Sequence, residues 1–169
     1  MSTQSIYEKR GTTLAFQDSG GDKLLAMNAL AATTGRLSAF ADRGAGASPN
    51  EYEIKCFTAW VASPTVGETL NICVVQSDGT HQDAGVAYHA SSDAALTLAA
   101  FNAVPILAGS VTAHTADTNE KGSTFRVRLS SRYFAIGVYN ASAAKTLTAS
   151  ANATIVYATP LMPDVQAAA

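Results

Sequence analysis

"FRVRLSSRYFAIGVYN", residues 125–140, sets Phe125, Val127 and Leu129 on one parity and Arg126 and Arg128 on the other. Successive side chains of a β-strand point to opposite faces, so this alternation predicts a strand with an apolar inner face and an arginine-bearing outer one. The run that follows predicts a second strand over 132–140, with Arg132 and Tyr133 at its start and Tyr139 near its end.

The same pattern recurs outward from this pair. Runs rich in Val, Ile, Thr, Phe and Tyr predict strands over 51–61, 69–77, 84–89, 94–101, 104–114, 123–130, 132–140 and 146–158. "SDGT" at 77–80 and "YNAS" at 139–142 supply turn residues. Pro64, Pro105, Pro160 and Pro163 are expected at strand ends or edges, where a missing N–H costs least. No stretch between strands is long and periodic enough for a crossover helix, which favours a two-sheet antiparallel sandwich over a parallel α/β fold. The expectation is an all-β, antiparallel, jelly-roll-like β-sandwich of about eight strands.

Residues 1–35 read differently, as an extended N-terminal arm broken by "SGGD" and "TTGR". Asp22 could cap a short helix through Leu30, ended by Gly35; the alternative is an extended arm with a strand near Arg36 to Asp42. The sandwich domain is expected over 36–162 and a flexible tail over 163–169.

The chain has 169 residues, enough for one domain with a sizeable core. Only 14% are charged and 47% are apolar, so the surface is either covered by Ser, Thr, Asn and Gly or partly hidden in an assembly. A net charge of −2 argues against nucleic acid as a direct partner. "MSTQSIYEKRG" has no apolar core of a secretion signal and no run is long enough to span a bilayer, so no membrane partner is expected and the cytosol is the expected site of synthesis.

Cys56 and Cys73 lie on two strands expected to neighbour one another. Pairing them directly would set Leu70, Ile72 and Val74 opposite Glu53, Lys55 and Phe57, whereas matching the apolar faces keeps the thiols apart. Two separate reduced thiols are expected. His81, with Asp78 and Asp83 in one loop, matches no defined metal spacing, and His89 and His114 read as strand-end histidines. No G-x-S-x-G elbow or activated thiol is present, and the glycine-rich stretches lack the strand and helix of a phosphate loop. No catalytic residue, cofactor or metal is therefore assigned. Enzymatic use of the histidines is the weakest of the readings considered.

The arginines remain. Arg126 and Arg128 belong either to a solvated sheet face or to an interface, where guanidinium groups meet carboxylates and Tyr133 and Tyr139 add aromatic anchors. Their local sequence does not distinguish these readings. The candidate partner-binding set is Arg126, Arg128, Arg132, Tyr133 and Tyr139.

In order along the chain, "DSGGD", "GRLSAFADRGAG", "YEIKCFTAWVASPTVGETLNICVVQSDGT" and "RVRLSSRYFAIGVYNASAAKTLTASANATIVYATPL" resemble the head decoration, or capsid cement, proteins of tailed bacteriophages. The likeness covers about residues 14–162. It implies a structural virion protein, made in the bacterial host cytoplasm and located on the capsid surface, that binds the outside of the mature head and bridges major capsid protein subunits. It also implies a homo-oligomer, with a trimer preferred to a dimer. A carbohydrate- or receptor-binding module of a phage tail or fibre, stacking sugars on Trp60, Tyr88, Tyr133 and Tyr139, is the alternative.

Overall fold

A computed structural model describes residues 5–45, 49–82 and 92–166. Two antiparallel-dominated sheets face each other across a common core, as the alternating patterns predict.

The first sheet contains β10 (Lys121–Arg128), β6 (Glu51–Thr58), β12 (Ile155–Gln166), β2 (Leu14–Gln17) and β3 (Lys23–Leu24) in that order, with β1 (Ser5–Arg10) also on β12. The second runs β8 (Ala94–Ala95), β4 (Thr34–Leu37), β11 (Tyr133–Asn140), β7 (Thr69–Ser77) and β9 (Ile106–Thr112), with β5 (Ala41–Asp42) also on β11. Between them pack Phe16, Met27, Ile54, Cys56, Trp60, Ile72, Phe134, Ile136 and Val156, all nearly inaccessible to water.

The second sheet is buried on both faces. Its outer side is covered by a second cluster, in which Leu37, Phe40, Cys73, Val75, Leu96 and Tyr139 meet Phe101 of α1 (Leu98–Ala103). The first sheet has no such cover among the described residues, so its outer face lies open.

Several expectations are corrected here. Residues 94–101, expected as one strand, form only the two-residue β8 before α1 begins. Thr97 stands at the N-cap and its Oγ1 accepts from the Ala100 N–H at 3.1 Å, and Leu, Ala and Ala then favour the helical turn. Residues 146–154, expected at the start of a strand, instead close one end of the core. There Leu147 bridges to Trp60, and β12 begins only at Ile155. The helix considered from Asp22 is absent, and the Asp22 carboxylate accepts from the Ala15 N–H at 2.8 Å. The strand 84–89 lies outside the described residues.

β6 and β7 do not form the expected hairpin. They belong to different sheets, and the intervening loop carries the chain from one sheet to the other. The thiols are separate all the same: Cys56 lies in the core between the sheets and Cys73 under the outer cover of the second. Burial pushes the Cys73 thiol up to about 12 and raises that of Cys56 as well.

The stretch expected as an arm packs into the sandwich from residue 14 onward, with Phe16, Leu25, Met27 and Leu30 in the core. β1 and β2 run along the same edge of β12, interrupted where Gly11 to Thr13 stand opposite Thr159 and Pro160. The extra residue makes a bulge, a position that tolerates Pro160. β12 continues through 163–166, part of the expected flexible tail, because β1 supplies its ladder partner there.

Candidate functional site

β10 is the edge of the first sheet, and its register with β6 sets Arg126 beside Glu53 and Arg128 beside Glu51. Val127 and Phe125 turn inward, so both arginines stand exposed on the open face, as the alternation predicts. Around them runs a ladder of charge. Arg10 makes a bidentate pair with Glu53, at 2.6 and 2.9 Å, and Lys55 reaches the same carboxylate at 3.3 Å. Arg126 pairs with Glu8 at 2.9 Å. The hydrogen bond from Arg10 holds the Glu53 carboxyl below the usual carboxylate range, against the opposing effect of its own burial.

Arg128 is different. Among the described residues no carboxylate pairs with it, although Glu51 is its register neighbour. Farther along the same face Phe57 and Tyr157 stand half-buried, ring centroids 6.4 Å apart in an edge contact, with the Phe57 ring filling the space beside Gly122. The face thus carries a charged half and an aromatic half.

The remaining candidates sit elsewhere. Arg132, past the turn that follows β10, makes a bidentate pair with Asp42 at 2.9 and 2.7 Å and lies 5.0 Å from the Tyr133 ring centre. That pairing, with the Gly44 N–H, draws the Asp42 carboxyl down to about 2. Together with Arg43, Asn50, Ser130 and Ser131, Arg132 lines a shallow polar depression of about 240 Å³. Tyr133 belongs to the edge of the covered side of the second sheet. Tyr139 is buried there: its ring packs 5.6 Å from Phe101 and its hydroxyl donates to the Thr33 carbonyl at 2.9 Å. The five candidates therefore do not form one site. Arg126 and Arg128 share a face, Arg132 and Tyr133 share another corner, and Tyr139 has no access to a partner.

Glu8, Arg10, Phe57 and Tyr157 complete the open face, and sequence reasoning did not select them. Phe57 and Tyr157 could have been found by parity, since each alternates with core residues on its strand. Of the sugar-stacking residues, Trp60 and Tyr139 are buried, and Tyr88 lies outside the described residues. His81 is exposed with its Nδ1 3.1 Å from Asp78, and His114 Nδ1 donates to the Thr112 carbonyl at 3.2 Å. Asp83 and His89 lie outside the described residues. Among the described residues no group of three or more His, Cys, Asp or Glu is placed to hold a metal ion, and no helix is long and apolar enough to cross a membrane.

Compared with known families and curated proteins, the chain matches no family model and no curated sequence.

Proposed function

We propose that this chain is a structural virion protein that binds the outside of a mature phage head and bridges major capsid protein subunits, with the open face of the first sheet turned toward the shell. The observation that carries the reading is the asymmetry of the sandwich. The second sheet uses both faces for its own folding, while the first leaves exposed a face with an uncompensated guanidinium at Arg128 and a half-buried aromatic pair. A charge at one end of the face and aromatic anchors at the other suit a protein surface that carries carboxylates. The order of sequence features, which resembles that of capsid cement proteins, supports a capsid as that surface.

Purified protein mixed with expanded heads that lack it is expected to bind stoichiometrically and to raise the temperature at which the heads release DNA. Arg128→Ser, which breaks no ion pair among the described residues and sets no like charge opposite Glu51, is expected to weaken that binding about tenfold while leaving the urea midpoint nearly unchanged. A folded protein that does not bind such heads overturns the proposal.

A further inference from the structure

Among the described residues, nearly every strand edge of this sandwich is closed or blunted. β3, β5 and β8 are two residues long. β9 and β10, the facing edges of the two sheets, touch one another, with the Phe125 ring against Gly109. Ahead of β3, the Ala15 N–H of β2 is taken by Asp22. β12 outruns β6, which ends at Glu51 opposite Leu161, and the edge exposed beyond that point carries Pro163, which has no N–H to offer.

β1 is the exception. Gly11 donates its N–H to the Pro160 carbonyl at 2.9 Å, which fixes the phase of the ladder: Lys9, Tyr7 and Ser5 turn their backbone groups toward β12. Ile6, Glu8 and Arg10 therefore turn their N–H and C=O groups away from it, and no described strand pairs with them. The result is an open six-residue edge on a two-stranded ribbon that extends past the end of β6.

We propose that β1 is a self-association edge, onto which a second copy of this chain adds its own β1 antiparallel about a two-fold axis, Glu8 of each copy opposite Arg10 of the other. The backbone phase allows this register because both residues present outward hydrogen-bonding groups. Both side chains lie on the open face of the first sheet, where Glu8 meets Arg126 and Arg10 meets Glu53, and each keeps exposed surface, 39% and 51%. Charge selects the register as well. The adjacent registers with the same hydrogen-bond phase set Glu8 against Glu8 or Arg10 against Arg10, and directly opposed like charges are destabilising. Lys9 meets its symmetry mate on the opposite side of the ribbon, a like-charge contact between flexible, solvated side chains. Pairing about a two-fold axis consumes the edge, so the product is a closed dimer and not a fibre.

The dimer is a property of the free protein and does not depend on the capsid reading. Light scattering on the wild-type chain should give a dimer mass that dissociates on dilution. Glu8→Pro removes an outward N–H and no bond to β12, so it should give a monomer with the wild-type far-ultraviolet spectrum. Glu8→Lys and Arg10→Glu should each weaken the dimer about tenfold or more, because each sets like charges opposite one another. Mixed in equal amounts, these two variants should restore it, since positions 8 and 10 of one copy then face an opposite charge at positions 10 and 8 of the other. That mixture decides the matter even where the proline variant fails to fold. A wild-type monomer at every concentration tested, a trimer mass, or a mixture that stays monomeric overturns the proposal.

Discussion

Asn140 donates from its amide nitrogen to the carbonyls of Leu30 at 3.0 Å, Ala31 at 3.2 Å and Lys145 at 2.8 Å, and its oxygen accepts from the Ser142 N–H at 3.3 Å. The side chain is fully buried, and it adds a donor to the Leu30 carbonyl, which also accepts from the Leu147 N–H, and to the Lys145 carbonyl, which also accepts from the Ser142 hydroxyl. It ties the segment after Met27 to the chain crossing that follows β11. Asn140→Asp puts a carboxylate where three carbonyls expect a donor, and is expected to cost about 3–5 kcal/mol, read as a drop in the urea unfolding free energy at neutral pH. Asn140→Ala should cost less, about 1–3 kcal/mol, because it leaves acceptors short without adding a charge. Part of this role was legible. "YNAS" announces an Asx turn, which the Ser142 to Asn140 bond is, but the carbonyls of Leu30 and Ala31 lie more than a hundred positions away and leave no local mark. The arginines divide in the same way. Outward placement of Arg126 and Arg128 follows from parity alone. Tyr139 belongs to a strand buried on both faces, where alternation no longer separates solvent from core.

At the scale of elements, composition found the strands and tertiary context moved their limits. β6, β7, β9, β10 and β11 fall within predicted runs, give or take a few residues at the ends. The Ala-rich 94–101 did not, because a Thr cap and good helix formers outweigh a weak strand pattern when the segment lies over a sheet instead of inside it. Sheet membership was harder still. The "ASPTVGE" connection is short enough for a hairpin, and only the pairing of β6 with β10 and β12 shows that the chain crosses between sheets there. β9 carries the element-level test. Its ladder with β7 shifts at Ile72 and Cys73, and Gly109 takes φ 155° where the register breaks. A Cβ at Gly109 would come within 2.2 Å of the Phe125 ring, the contact through which β9 and β10 close one side of the sandwich. Gly109→Ala must displace a core aromatic as well as adopt a backbone angle unfavourable for alanine, and is expected to cost about 3 kcal/mol. Phe125→Leu in the same background should recover part of that loss, which a purely local backbone effect would not allow; paired thermal melts of the single and double variants measure it.

For the whole molecule, the small number of charges matters less than how they are used. Arg132 ties the start of β11 to Asp42, Arg10 ties β1 to Glu53, and Arg36 ties β4 to Asp93 at 2.5 Å, so ion pairs link segments far apart in sequence. The nearly buried Lys121 pairs with Asp117 and donates to the Asn119 carbonyl at 2.8 Å, anchoring the loop ahead of β10. The open face of the first sheet carries a further cluster, Glu8, Lys55, Arg126 and Arg128, around the Arg10 to Glu53 pair. Stability should respond to acid in a defined window. Asp42, Asp78 and Asp117 are each drawn down to about 2, by Arg132, by the backbone N–H groups of His81 and Thr80, and by Lys121 respectively. A carboxyl whose folded value lies below its unfolded value of 3.8 binds fewer protons when folded, so its contribution is complete above about pH 4 and is lost as the pH falls toward 2. All three groups are solvent-exposed, so screening keeps each contribution small and salt should reduce it further. Urea unfolding free energies should therefore be flat from about pH 5 to 7 and fall between about pH 4 and 2. Asp42→Asn should lower the plateau and make the acid fall shallower; an unchanged slope would show that the Asp42 to Arg132 pair contributes nothing in solution.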